Sequence, residues 1–345
     1  MTRTGPGRLA GALSRFPKLR LAHLPTPLEP MDRLSDALGG PRFWVKRDDC
    51  TGLATGGNKA RKLDYLMAAA QEAGATAIVT QGATQSNHTR QSAAAAAKLG
   101  MSCHILLENR TGSQDPAYNA SGNVLLSRIV GGTLKKYPCG TDMPAQMEAA
   151  AAELRARGET PFVIPGGGSN EIGALGYAEC ALELRTQFDA MDLAPDMIVQ
   201  PTGSAGTHAG MAAGLHVMAD ETPLLGIGTR APREKQEAMV LSLAERTLQK
   251  LGHDTPLPAE RVRADCNYVG DGYGIPTAGM KEAVEMLARL EGLLFDPVYS
   301  GKALHGLIDL ARKGFFDGMA NVVFLHTGGA SAIFAYPGTF DAAPA

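Results

Sequence analysis

The stretch "TGGNKARKL", residues 55–63, decides how this chain is read. Two glycines and an asparagine stand directly before Lys59, and the residues behind it have the composition of a helix. Glycine takes backbone conformations closed to other residues, so the pair marks a tight turn and sets the lysine at the mouth of the helix. From spacing alone, a solvated cation at a helix start is the more ordinary reading of Lys59. Arg61 and Lys62 follow at once and read as surface charges.

Working outward, short apolar runs alternate with helical patterns. "TAIVTQG" (76–82) reads as a buried strand, and the alanine-rich "SNHTRQSAAAAAKLG" (86–100) as a helix closed by a glycine. "CHILLE" (103–108) is a second strand. A helix over 122–130, a strand over 133–137, a helix over 144–157 and the strand of "PFVIPGGGSN" follow. Later "DMIVQPTGS", "PLLGIGT" and "NVVFLHTGG" each predict a strand, a turn and then a helix. Residues 230–263 read as a long charged surface helix with a proline-bearing connection. Strands that are apolar throughout and alternate with helices imply α/β architecture, with parallel sheets covered on both faces. A weak boundary near 166–170 suggests two domains with a cleft between them.

Bulk composition narrows the function classes. The 345 residues suffice for one large or two modest α/β domains. A net charge of -2 gives no nucleic-acid footprint. No apolar run reaches the roughly 18 residues of a membrane span. The five cysteines are scattered with no CxxC pair, which predicts neither a zinc site nor a disulfide framework and fits a reducing cytoplasm. The first 20 residues carry four arginines and one lysine, no acid and no apolar signal core. A frayed basic N-terminus is expected there, a transit peptide being the alternative.

Four glycine-rich turns end strands: "QGATQSNH" (81–88), "PGGGSN" (165–170), "PTGSAGTHAG" (201–210) and "HTGGAS" (326–331). In parallel α/β sheets ligands bind at the carboxyl ends of strands. A small-residue turn that opens a helix presents backbone N–H groups and a dipole that favours an anion. "GSAGTHAG" is the best phosphate cradle, with Ser204 and Thr207 adding hydroxyl donors. It matches neither GxGxxG with an acidic ribose contact nor GxxxxGK[ST], which disfavours a dinucleotide or a P-loop nucleotide. A phosphate cradle plus a partly desolvated lysine at a helix entrance is what a pyridoxal phosphate enzyme needs, because that lysine must shed its proton to react.

These residues also carry a resemblance. "KRDDCTGLATGGNKARKLDYL", "TQGATQSNHTRQSAAAAAKLGM", "PGGGSNEIGALGY", "GSAGTHAG", "DGYGIP", "ARLEGLLFDPVYSGKALHGLIDL" and "FLHTGGASAIFAY" resemble the D-cysteine desulfhydrase and aminocyclopropane-carboxylate deaminase family. The likeness runs from about residue 17 to 336. It implies a two-domain fold-type II pyridoxal phosphate enzyme, similar to the tryptophan synthase β chain, with the active site in the interdomain cleft. A large cofactor-binding domain would comprise 1–59 and 171–345, and a small α/β domain 60–170.

By the same resemblance Lys59 is the Schiff-base lysine and Asn87 bonds the cofactor's phenolic oxygen. Gly203, Ser204, Ala205, Gly206 and Thr207 form the phosphate cup, and Thr327 and Ser300 also meet the cofactor. Ser86, with Gln85 and His88, receives the substrate carboxylate, and Tyr273 and Tyr299 face the substrate. No metal and no nucleic-acid or membrane partner is implied, and a homodimer is. The deaminases carry Glu directly after the tyrosine of "DPVY", where this chain has Ser300. A hydroxyl holds a protonated ring nitrogen less well than a carboxylate, which favours β-elimination over cyclopropane-ring opening.

Within the family, "LAHLPTPLEPM", "RDDCTGL", "TQGATQSNH", "LLENRTG" and "GTDM" are most similar to L-cysteate sulfo-lyases. The expected reaction is elimination of L-cysteate to pyruvate, ammonia and sulfite. Elimination of D-cysteine to sulfide is the alternative, ahead of aminocyclopropane-carboxylate deamination or a non-enzymatic two-lobed binding protein. Thr84, Thr89, Arg110 and the Gly166–Gly168 turn are candidates to hold a sulfonate.

Overall fold

The computed structural model describes residues 5–340. Along the chain run α1 (Gly5–Leu13), β1 (Leu28–Pro30), α2 (Asp32–Leu38), β2 (Arg42–Arg47), α3 (Lys59–Glu72), β3 (Ala77–Ala83) and α4 (Asn87–Lys98). Then come β4 (Ser102–Asn109), α5 (Pro116–Ala120), α6 (Gly122–Ile129), β5 (Thr133–Pro138), α7 (Met143–Ala156), β6 (Pro161–Ile164) and α8 (Glu171–Ala190). The chain continues through β7 (Met197–Thr202), α9 (Gly206–Met218), β8 (Leu224–Gly228), α10 (Arg233–Leu251), β9 (Ala264–Asp265), α11 (Ala278–Glu291), α12 (Ser300–Arg312), β10 (Asn321–His326) and α13 (Pro337–Phe340).

The strands form two sheets. A six-stranded sheet runs β1-β2-β10-β7-β8-β9, and a four-stranded sheet runs β5-β4-β3-β6. Alternate residues of β7 reach opposite cores. Ile198 packs with α8, α9 and α10 through Tyr177, Met211 and Val240. Met197 and Val199 pack with α11 and α12 through Met280 and Leu304. A strand lies between two covered faces in this way, and β7 is buried along its whole length. The smaller sheet is covered likewise: Ile78, Ile105 and Leu107 meet α3 and α4 on one side, while Val79 and Leu106 meet α7 on the other. Its four strands all fall between Ala77 and Ile164.

Several expectations are corrected. The sheets are not parallel throughout, since edge strand β1 pairs antiparallel with β2. The short connection through α2 returns the chain alongside itself, whereas a parallel partner requires a longer crossover. Residues 5–13 of the basic N-terminal region form helix α1, which buries Leu9 and Leu13 against the large core; residues 1–4 lie outside the described residues. "NVVFLHTGG" leads into a 3-10 turn, Ala330–Ala335, instead of an α-helix. In the 230–263 segment α10 buries Val240, Leu243, Leu248 and Leu251 along one stripe.

Candidate active site

The turn before Lys59 is strained over four consecutive residues: Ala54, Thr55, Gly56 and Gly57 have φ of 44°, 71°, 72° and 124°. A Cβ at Gly56 would stand 1.9 Å from the Asp49 carbonyl oxygen, so only glycine fits. Hydrogen bonds hold this conformation. The Gly57 N–H donates to Thr51 Oγ1 (2.8 Å), Arg90 Nη2 to the Gly56 carbonyl (2.6 Å), and the Asn58 N–H to the Thr327 carbonyl (3.0 Å). Strain retained by surrounding structure is characteristic of functional sites. Here it delivers Lys59 into a cavity of about 230 Å³ at the carboxyl ends of β3, β6, β7 and β10.

Lys59 is half-buried, and the loss of hydration lowers its pKa from 10.5 to about 8. Lys62, one turn along α3, is fully buried, and burial together with the nearby Lys59 charge lowers its pKa well below the usual value. The expectation that Arg61 and Lys62 are surface charges is therefore wrong: each is 1% exposed. Lys62 Nζ donates to the Gly167 carbonyl (3.1 Å) and approaches Ser169 Oγ (3.4 Å). Arg61 turns the other way, with Nε on Asp48 Oδ2 (2.8 Å) and Nη2 on Glu183 Oε1 (2.9 Å). Those partners raise its pKa against the effect of burial.

The anion end of the cavity is the N-terminus of α9. Gly203, Ser204, Ala205 and Thr207 line it. Ala205, with φ 71° and ψ -35°, is another non-glycine residue in a costly conformation. Gly206 does not line the cavity. A Cβ there would come within 2.6 Å of Lys62 Nζ and 2.7 Å of Ser169 Oγ, so the glycine keeps this cradle open. Ser169 Oγ donates to Ser204 Oγ (2.9 Å), and Asn58 Nδ2 to Thr207 Oγ1 (2.9 Å). Backbone N–H groups, hydroxyls, a helix dipole and the Lys62 amine converge here, a donor set suited to a phosphate. Thr327 closes the wall at the end of β10.

The cavity is also lined by Ser86, Asn87 and His88 at the start of α4 and by Tyr273, Tyr299, Arg110 and Arg230. Ser86 caps α4, accepting from the Thr89 N–H. His88 Nε2 shares a hydrogen bond with Thr80 Oγ1 (2.8 Å), and burial beside Lys59 and Lys62 lowers its pKa well below the usual value, so the ring is neutral. The hydroxyls of Tyr273 and Tyr299 are in hydrogen-bond contact, and the Arg110 guanidinium lies 5.4 Å from the Tyr273 ring centre. Burial raises both tyrosine pKa values.

Some expected residues are elsewhere. The Gln85 side chain does not line the cavity: its amide donates to the carbonyls of Tyr118 and Ser121 and accepts from the Asn123 N–H, tying α5 and α6 to the loop. Thr84, Thr89 and Gly168 are also off the wall, whereas Gly166 and Gly167 line it. Ser300 is buried behind the wall, and its hydroxyl is committed to Asp296 Oδ2 (2.7 Å) and the Gly328 carbonyl (3.1 Å). That places a carboxylate one hydrogen bond behind Ser300. A Cβ at Gly329 would meet Asp296 Oδ2 at 2.6 Å and Asn87 Nδ2 at 2.7 Å, so these groups crowd together beneath the Gly328–Gly329 turn. Sequence reading missed Lys62, Arg230 and Gln81, which has an unpartnered buried Oε1 at the cavity. Arg230 stands two residues past the "GIG" that ends β8, a strand-end signal that could have found it.

The family model described as pyridoxal-phosphate dependent enzyme matches residues 19–328. A D-cysteine desulfhydrase of Klebsiella pneumoniae is 45% identical over 324 residues, covering 94% of this chain and 97% of that one. A crystal structure of an ACC deaminase homologue superposes with a TM-score of 0.85 at 32% identity, covering 96% of this chain and 98% of the other. The fold extends to an L-serine ammonia-lyase of the fungus Rhizomucor miehei, with a TM-score of 0.64 at 19% identity, over 90% of this chain and 95% of that one. These are fold-type II enzymes, and the cradle, the lysine and the open glycine at 206 fit pyridoxal 5'-phosphate.

Proposed function

The chain belongs to the pyridoxal-phosphate dependent enzyme family, and on that premise we propose that it is a β-eliminating carbon–sulfur lyase acting on L-cysteate. The observation that carries the reaction class is the Lys59 amine, its pKa lowered to about 8 and without a carboxylate partner, in a cavity it shares with an anion cradle and a tyrosine pair. Ser204, Thr207, the α9 N-terminus and Lys62 would hold the cofactor phosphate, and Asn87 and Thr327 would flank its ring. The cofactor, once bound, supplies the electron sink that acidifies the substrate Cα–H.

The chain's own groups supply the remainder. The Ser86 hydroxyl and the free N–H groups opening α4 bind the substrate carboxylate. Lys59 Nζ takes the α-proton, a role suited to an amine with pKa about 8. The Cα–H and Cβ–S bonds break, a Cα–Cβ double bond forms, and sulfite departs with the carbon–sulfur electron pair. The released enamine takes up water and yields pyruvate and ammonia. The Tyr273–Tyr299 pair, kept protonated by burial, orients the β-substituent and excludes water from that side.

Arg110 beside these tyrosines supports an anionic leaving group. D-cysteine, with sulfide as product, is the second reading, favoured by the name of the 45% identical Klebsiella relative. The test supplies L-cysteate, D-cysteine and L-cysteine side by side to the cofactor-loaded protein and measures sulfite and sulfide. A site built for sulfonate oxygens leaves donors unpaired around a thiol at roughly 1–3 kcal/mol each. Two such donors give on the order of a hundredfold higher kcat/KM for L-cysteate. Faster sulfide release from D-cysteine overturns the substrate and leaves the lyase standing.

A further inference from the structure

We propose that Arg230 is the specificity-determining residue of this site, the guanidinium that selects an anionic β-substituent by binding the substrate sulfonate alongside Arg110. The inference rests on the L-cysteate reading and deepens it.

Arg230 lies at the carboxyl end of β8, in the connection to α10. Its predecessor Thr229 is fixed beside the cradle, the Thr229 N–H donating to the Thr202 carbonyl (3.0 Å). Arg230 lines the same cavity as Arg110, Tyr273 and Tyr299. Burial and the Asp296 charge raise the Tyr299 hydroxyl pKa, while the Tyr273 hydrogen bond and the Arg110 and Arg230 charges act against that rise.

The two arginines differ in what they can offer. Arg110 Nε is ion-paired with Glu108 Oε2 at 2.6 Å, and Glu108 is fixed further by the Gly140 N–H (3.0 Å). That pair has no net charge, so Arg110 contributes donors and a ring stack. Arg230 is exposed and, among the described residues, makes no ion pair and no side-chain hydrogen bond, so its donors are open to a ligand in the cavity it lines. L-cysteate differs from cysteine by a full negative charge and three acceptor oxygens at Cβ. A planar guanidinium with free N–H groups is the matching partner for a tetrahedral oxyanion. Arg110 comes from β4 in the smaller sheet and Arg230 from β8 in the larger, so a sulfonate held by both would bridge the two halves of the cleft.

The test uses the cofactor-loaded full chain and compares wild type, Arg230→Gln and Arg230→Lys with L-cysteate and β-chloro-L-alanine, which loses chloride from a neutral β-substituent. Arg230→Gln is expected to shift the ratio of kcat/KM values against L-cysteate on the order of thirtyfold, chiefly through KM. Arg230→Lys should recover part of that shift. Inhibition of β-chloro-L-alanine elimination by methanesulfonate should weaken in Arg230→Gln by a similar factor. An unchanged ratio, or an equal fall with both substrates, overturns the role of Arg230. Failure of the wild-type enzyme to release sulfite overturns the underlying substrate reading instead, so the two failures are distinguishable.

Discussion

Arg61 and Lys62 are neighbours in the first turn of α3, equally buried, yet they belong to opposite electrostatic regimes. Arg61 is enclosed by carboxylates. Asp48 takes it in a two-pronged contact and Glu183 in another, while Tyr177 Oη (2.5 Å) and Thr26 Oγ1 (2.8 Å) satisfy the rest of Asp48. Lys59 lines the cavity with Lys62 beside it, and neither forms an ion pair among the described residues. One cluster is charged and closed; the other is driven towards neutrality and open. Burial of a cation with its counter-charge fixes structure, and burial without one creates a nucleophile and base. One helix turn serves both purposes because successive residues point to different sides of it.

Removing the nucleophile should give the largest effect. Lys59→Ala is expected to abolish turnover, measured as pyruvate formation, with far-UV circular dichroism unchanged, because no carboxylate is left unpaired by the substitution. Retained activity would transfer the role to Lys62. Breaking the closed cluster should act on stability instead. Arg61→Met leaves Asp48 and much of Glu183 uncompensated, and about 3–5 kcal/mol should be lost in urea unfolding of the protein. A loss below about 1 kcal/mol would show that the network is solvated and the contrast with Lys62 false.

Much of this was legible in the sequence, and the gaps have physical causes. The strand-turn-helix order read correctly at β7 and β8, and β10 read correctly as a strand, because all three are buried along nearly their whole length. The position of Lys59 was readable because the Gly56–Gly57 pair allows so few backbone paths. The burial of Arg61 was not, since a helix-start "KARK" looks solvated and its partners Asp48 and Glu183 lie far off in sequence. Gln85 sits in the right motif, but its amide is consumed by Tyr118, Ser121 and Asn123, which only tertiary packing reveals. Ser300 read as a lone hydroxyl, whereas the fold puts the Asp296 carboxylate directly behind it. Arg230 carries no local signal beyond its place after a strand.

The reactivity of the open cluster can be measured as the rate at which apoprotein, stripped of cofactor, captures pyridoxal 5'-phosphate across pH. Only the neutral amine reacts, so the rate follows the deprotonated fraction of Lys59. With a pKa of about 8, that fraction rises about tenfold between roughly pH 7 and 9 and then levels off. A plateau above pH 9 with a midpoint near 8 is the expected result. A rate still climbing towards the ordinary lysine value of 10.5 would mean that Lys59 is solvated or ion-paired, and would contradict the distinction between the two clusters.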